Sequence, residues 1–336
     1  MRIRTLKYLF VLTSVLVFAP AAEGAGYSSV EHAAANVVYA AGLRAEVEFF
    51  CDTLCDGRSC GSVGSVLASR RAAALLRKWK LKPLDGSYYL FCPDTTKHQL
   101  LHSVAACLEP NASLNNGQYI IVCAHLDGIG RLGNRFYPGA DSNASGAVAV
   151  LNLAHLFSSM KMLGRGASTS LIFVLTDGKE AGSAGAKDLV RRIRQDSLRN
   201  PSDGRPIREK DIRMLVNIDQ IGSTLSPVHA QRPDYLMMLG NERLKNGLSE
   251  LAHTVNRECG SALDLCFDYY GSKTFSDIFY RLADREAYAE CAFPLIFFTS
   301  GITMNNNKPS DTPSTLDYEV LRRRILMIFH WLCRIV

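Results

Sequence analysis

Four apolar runs constrain the fold of this chain more tightly than anything else in it: "QYIIVCAHLD", "TSLIFVLTD", "MLVNIDQIG" and "FPLIFFTSG". Each is long enough for one strand, is apolar at successive rather than alternate positions, and ends on polar residues. Continuous apolar runs of about four to eight residues suit strands buried on both faces, and such strands need helices on both sides. Helical patterns accompany them: "GSVGSVLASRRAAALLRKWK" after a glycine turn, "SGAVAVLNLAHLFSSM", "AGAKDLVRRIRQ" and the closing "STLDYEVLRRRILMIFHWLCRI". Residues 27–50 read as one more helix. Strands alternating with helices predict an α/β fold with a largely parallel sheet. No internal repeat or low-complexity linker divides the chain, so residues 25–336 are expected to form a single domain.

The first residues stand apart. Arg2, Arg4 and Lys7 precede an apolar stretch from Tyr8 to Phe18, and small residues follow. This is the pattern of a secretory signal peptide over residues 1–24, with an apolar part shorter than the roughly 20 residues of a membrane span. The expectation is an exported protein, periplasmic or secreted, with no transmembrane segment after cleavage. The last helix carries Arg322, Arg323, Arg324 and Arg334, which leave its apolar stretch too short to cross a bilayer. The net charge of +6 is mild, and no basic stripe interleaved with aromatics is present, so no nucleic-acid partner is expected. In an oxidising compartment some of the ten cysteines are expected to pair, with one or two disulfides among or from Cys51, Cys55 and Cys60. A zinc knuckle there is disfavoured, because no CxxC pair accompanies them. Cys123, inside an apolar run, is expected to be a buried thiol. Asn111 opens an "NAS" sequon.

In sheets of this kind ligands bind beyond the carboxyl ends of the strands. Those ends carry "AHLDG", with His125 and Asp127; "GADSNASG", from Gly139 to Gly146; "DGKEAG", with Asp177, Lys179 and Glu180; "NIDQIG", with Asp219; and "NNNKPSDT", from Asn305 to Thr312. One such segment is weak evidence, since a strand-end histidine is often only a satisfied polar residue. Five in this order are a strong signal.

On these motifs the chain resembles metallopeptidase family 28: zinc aminopeptidases, with relatives such as glutaminyl cyclases, nicalin and nicastrin. "DGRSCGSVGSVLASRRAAALLRKWKLKPLDGSYY" is similar to the family's N-terminal helix region, and "FPLIFFTSG" with "KPSDT" to its last strand and loop. The resemblance implies a three-layer α/β sandwich, with helices on both faces of a mixed, mostly parallel sheet. It also implies two zinc ions held by a histidine, a bridging aspartate, a glutamate, a second aspartate and a final histidine. A further glutamate serves as general base. Two cations need an anionic bridge to lie close, and their bound water needs a carboxylate to take its proton.

Carried over residue by residue, His125, Glu180 and Asp219 match ligands, and Asp127 matches the group that orients the histidine. Three positions depart. The bridge falls on Ser142, the base on Lys179 and the last histidine on Asn307. Arg285, in "LADREAY", also stands where relatives often have histidine. An ammonium cannot accept a proton near neutral pH unless its pKa is strongly depressed. Here it is expected to pair with Glu180 or Asp219 and to stand in for missing metal charge, so zinc is expected to be weakly bound or absent. Asp141 and Asp177 are the two residues that could replace the lost bridge and base. The motif register argues against Asp141, and Asp177 reads as a turn residue capping the loop at Gly178. Gly139, Gly146 and Gly182 are expected to allow tight turns. Asn143 and Ser145 are expected to hold the loop and cap the next helix, and Asp311 and Thr312 to fix the last loop. His102, His155, His229, His253 and His330 lack metal-ligand spacing and read as core or surface residues.

Three functions compete. The first is a degenerate member that binds a peptide or protein without cutting it. The second is an active zinc aminopeptidase with altered ligands. The third, an acyltransferase of the glutaminyl cyclase type, is the weakest, because that chemistry also uses the altered positions.

Overall fold

The structure, a computed structural model, describes residues 28–84, 86–94, 99–226, 231–240, 247–268, 272, 274, 276, 285–288 and 291–336. The expected signal segment therefore lies outside the described residues, as does His229. The strands are β1 (Lys82–Pro83), β2 (Tyr89–Asp94), β3 (Gln99–Leu108), β4 (Tyr119–His125), β5 (Gly130–Leu132), β6 (Arg135–Tyr137), β7 (Ser170–Thr176), β8 (Ile212–Ile218), β9 (Tyr235–Leu239), β10 (Asp264–Cys266) and β11 (Leu295–Thr299). Among the described residues nine of them form one sheet in the order β1-β3-β7-β4-β8-β11-β9-β10, with β2 also on β3, and β5 and β6 form a separate hairpin.

The four apolar runs are the centre of this sheet. The strands β7, β4, β8 and β11 are mutually parallel. The flanks are antiparallel where β3 meets β7 and β9 meets β11. The sheet is thus mixed, with a parallel core. Every residue of β4 and β7 is buried. Ile120, Val122, Leu171 and Phe173 point into one apolar core, while Ile121, Cys123, Ile172 and Val174 point into the other. Two-sided burial is why these runs do not alternate.

The helices are α1 (Ser29–Ala35), α2 (Ala40–Cys51), α3 (Val63–Lys78), α4 (Ser145–Met162), α5 (Ala184–Arg194), α6 (Leu248–Glu258), α7 (Arg285–Tyr288) and α8 (Tyr318–Cys333). The larger core takes side chains from α1–α4, α6 and α8, and the smaller from α5 and α7, giving three layers. Among the described residues no helix is long and apolar enough to cross a membrane.

Two expectations need correction. Residues 27–50 are not one helix: the chain breaks after Ala35, and Tyr39 is extended at the start of α2. The connecting "NVVY" is rich in poor helix formers, and the break lets α1 lie on α4 while α2 lies on α8. No disulfide joins any of the ten cysteines. Cys55 Sγ donates to Phe49 O and Cys60 Sγ to Asp127 Oδ2, so each thiol is engaged by an oxygen.

Arg58, in the short turn after α2, is completely buried. Its guanidinium donates to four carbonyls: Phe50 at 2.6 Å, Leu126 at 2.8 Å, Pro138 at 2.9 Å and Gly139 at 2.8 Å. These belong to the end of α2, the chain just past β4 and the loop before α4. Removing the cation orphans several buried acceptors, at about 1–3 kcal/mol each. Arg58→Met is therefore expected to destabilise the protein by at least about 3 kcal/mol. The exposed Arg44, paired with Glu48 along one helix, is the control, and Arg44→Met should leave the urea midpoint unchanged. Equal midpoints for the two variants would contradict the clamp.

Candidate functional site

Strand register assembles the site. The parallel pair Cys123↔Asn217 sets β4 beside β8, so two residues later His125 stands level with Asp219. The turn after β7 supplies Lys179 and Glu180. An irregular turn, Ala140–Ala144, feeds into α4 and supplies Ser142, while the loop after β11 supplies Asn307. His125, Ser142, Lys179, Glu180, Asp219 and Asn307 line one cavity of about 290 Å³. Gln220, Asn306, Phe297, Thr299 and Ile302 complete its wall. Asn307 has φ 56°, a left-handed conformation that asparagine tolerates better than most residues.

The groups behind the cavity hold its loops. His125 Nδ1 lies 3.0 Å from the carbonyl of Asp127, closer than the 3.8 Å to Asp127 Oδ1. The Asp127 carboxylate instead accepts the backbone N–H groups of Lys179 and Glu180, each at 3.0 Å, and the Cys60 thiol at 3.1 Å. The carboxylate thus orients the turn, and the Asp127 carbonyl meets the histidine. Asn143 ties α4 to β8 by donating to Ile218 O and accepting from the backbone N–H groups of Gly146 and Gln220. Asn143 stands just before the N-cap, Ala144, and still satisfies one amide of the first turn. Ser145 lies inside α4, and its hydroxyl turns back to Asp141. A Cβ at Gly146 would sit 2.4 Å from Asn143 Oδ1 and 2.6 Å from Ile218 O, so only glycine permits this approach.

Neither substitute for the lost carboxylates faces the cavity. Asp141 is 2 % exposed, and its Oδ1 accepts from Gly222 N, Ser223 N and the Ser145 hydroxyl. Asp311 accepts from the backbone N–H groups of Asp141 and Ser142, fixing the last loop against this one. Asp177 Oδ2 accepts from the Ser65 hydroxyl and His102 N, joining α3 and β3 to the end of β7. Sequence reasoning missed one cluster, in which ligand atoms of Cys60, Asp127 and Asp177 lie within 4.8 Å of one another. All three are buried behind the Lys179–Glu180 turn. Arg285 opens α7, and its side chain lies outside the described residues. Of the other histidines, His155 stacks on Trp79 and His330 is buried against Glu31.

The electrostatics follow from the residue types. Burial works against ionisation of Asp219, but His125 and the Lys179 ammonium outweigh it and hold its carboxyl below the usual range. Glu180 sits at the exposed rim. Partial desolvation and then the charge of Asp127 raise its carboxyl, against the opposing pull of His125 and Lys179. His125 Nε2 lies 3.5 Å from Asp219 Oδ1, the spacing of two ligands on one tetrahedral ion. The rest of the donor set does not match a two-zinc centre. Ser142 and Asn307 offer only neutral groups, and a lysine ammonium shares the cavity. Catalytic zinc ordinarily has three protein ligands, and each half-site here keeps one histidine–carboxylate pair or less.

A model of peptidase family M28 matches residues 103–332. No curated protein matches the sequence. Among solved structures the chain is similar to the aminopeptidase from Aneurinibacillus sp. strain AM-1, with a TM-score of 0.65 at 13% identity over 90% of this chain and 95% of that one. It is similar to LapB from Legionella pneumophila, with a TM-score of 0.69 at 14% identity over 94% and 76% of the two chains. Macrostomum lignano glutaminyl cyclase gives 0.65 at 15% identity over 94% and 95%. At these identities the likeness is one of fold.

The buried frame makes a pH prediction. Burial first, and then the nearby Asp311, push the Asp141 carboxyl up to about 7 from 3.8. An acid whose folded pKa is raised adds stability below its unfolded pKa and loses it as pH rises through the folded value. Asp141→Asn mimics the protonated acid. The stability of the wild type minus that of Asp141→Asn should therefore fall as pH rises from about 4 to about 7. Urea titrations across this range check it, and a constant difference would contradict it.

Proposed function

The chain belongs to peptidase family M28, and from that premise we propose that it is an exported, catalytically silent member whose cleft binds the amino end of a peptide or protein without cutting it. One observation supports this reading: Lys179 stands beside Glu180 in the same cavity as Ser142, so a cation sits where the resemblance implies the base and a serine where it implies the bridge. General acid–base assistance is worth roughly 10²–10⁴-fold, and its loss together with the metal's leaves little peptidase chemistry. Glu180 and Asp219 remain as anions that can meet a terminal ammonium, and Phe297 and Ile302 supply apolar wall for a side chain.

A second reading has one observation in its favour. The His125–Asp219 spacing of 3.5 Å suits a single zinc ion, which would support an altered but active exopeptidase. Elemental analysis separates the two. Purified protein is expected to carry well under one equivalent of zinc after mild dialysis, and to release no N-terminal residue from aminoacyl-anilides with or without added zinc. Tightly held zinc together with turnover that Glu180→Ala abolishes would overturn the silent-member reading.

A further inference from the structure

A second pocket, of about 320 Å³, opens between α2, α3 and α4 and shares no lining residue with the strand-end cavity. Its volume lies within the roughly 300–1,000 Å³ of small-molecule sites. Helical spacing builds it. Ala74, Leu75 and Lys78 stand on one face of α3, with Trp79 just past its end. Val148, Leu151, Asn152 and His155 stand on one face of α4. Leu75, Val148 and Leu151 are buried and give the pocket its apolar part. The small residues Gly42 and Ala74, on the two flanking helices, leave the space open. A Cβ at Gly42 would lie 2.9 Å from Tyr39 Cζ, so the Tyr39 ring rests against α2 there, 60 % exposed at the pocket's edge.

The polar groups favour one negative charge. Arg71, Lys78 and Glu46 line the pocket and leave one net positive charge. Glu46 is spent on Arg71, 2.6 Å from Oε1 to Nη2, whereas Lys78 has no carboxylate partner among the described residues. His155 stacks on Trp79 with ring centroids 4.6 Å apart and planes at 11°. Burial first, and then the charge of Lys78, lower its pKa, so its imidazole is neutral and still donates one N–H. The ring nitrogens of His155 meet no protein donor or acceptor among the described residues, and neither is sealed in the interior. A carboxylate can use both the ammonium and the imidazole N–H, while a cation is repelled by Lys78. The rings of Tyr39 and Trp79 border the apolar part, and aromatic rings favour offset or edgewise contact with another ring.

We propose that this pocket binds a small aromatic monocarboxylate. The carboxylate lies on Lys78 and His155, and the ring lies on Leu75, Val148 and Leu151 beside Trp79. The site is separate from the strand-end cavity, so it stands or falls apart from the function proposed for that cavity.

Isothermal titration of the purified protein tests this with three probes that share one ring: 3-phenylpropanoate, 3-phenylpropanamide and 3-phenylpropylamine. The acid should bind, the amide should bind about tenfold more weakly, as expected for one lost charge-assisted hydrogen bond, and the amine more weakly still. Lys78→Met should bring the acid down to the affinity of the amide. Ala74→Phe, at an exposed position on the pocket wall, should block all three. Acrylamide quenching of tryptophan emission gives a check that needs no variant. Of the two tryptophans Trp331 is fully buried and Trp79 only half-buried, so bound acid should shield Trp79 and lower the quenching. Absence of binding by the acid, or an amide or amine that binds as tightly, would overturn the proposal. Acid binding untouched by both Lys78→Met and Ala74→Phe would overturn it too, because the ligand would then lie elsewhere. Quenching unchanged at saturating acid would overturn it even if neither variant folds.

Discussion

The cleft depends first on the buried guanidinium of Arg58. Most of the cavity wall is built from chain that has left the sheet, and such chain must find hydrogen bonds elsewhere. Arg58 meets part of that need for three segments at once, binding carbonyls at the end of α2, after β4 and before α4. Buried carboxylates do the same for backbone N–H groups. Asp127 holds the Lys179–Glu180 turn, Asp311 holds Asp141 and Ser142, and Asp141 holds the chain beyond Asp219. Arg324, fully buried on α8, completes the set by donating to Ile221 and Ser223.

This frame explains how the cavity can keep its shape while its chemistry changes. The frame residues point away from the cavity and satisfy backbone, so their contribution is independent of any metal. The cavity-facing residues satisfy little backbone. Ser142, Lys179 and Asn307 can differ from the family pattern without loosening the loops that carry them. Their differences also belong together. Where the resemblance implies a bridging carboxylate and a catalytic one, a serine and an ammonium stand; Lys179 acts on Glu180 and Asp219 through its charge, and the expected salt bridge to either does not form. The lowered carboxyl of Asp219 reflects its neighbours, with His125 acting first and Lys179 after it.

Much of this was legible in the sequence, for identifiable reasons. The central strands declare themselves through unbroken apolar runs, and their polar ends mark the cavity because parallel strands end together. His125, Glu180 and Asp219 lie at those ends, and the family resemblance is what singles them out as ligand positions. The flanking strands were harder to see. "QLLHSVAACL" became β3 because it pairs with β2 and β7, a tertiary event with no local mark. Arg58 and Arg324 sit in stretches that look solvated, yet both are fully buried, because a guanidinium can be satisfied by carbonyls that only the folded chain brings together. Asp127 reads in the sequence as a partner of the histidine. Its hold on the turn after the neighbouring strand β7 is visible only in the packing. The disulfides expected from cysteine spacing failed for a related reason: Cys55 and Cys60 each face a different oxygen rather than each other.

The cavity keeps a rigid frame of buried carboxylates and guanidinium groups, while the donors that the family resemblance implies are not all there. Supplying those donors tests whether the frame can still hold zinc. The triple variant Ser142→Asp, Lys179→Glu and Asn307→His rebuilds bridge, base and last ligand on loops already held in place. A ligand that binds only the native state stabilises it by RT ln(1 + [L]/Kd), about 2.7 kcal/mol at a hundredfold excess over Kd. The measurement is the melting temperature of the wild type, the single variants and the triple variant, with and without zinc. The account predicts zinc-dependent stabilisation in the triple variant alone, because each single change leaves either the repelling ammonium or the missing bridge. A triple variant that folds and shows no zinc-dependent shift, or a wild type that shows the full shift, would contradict it.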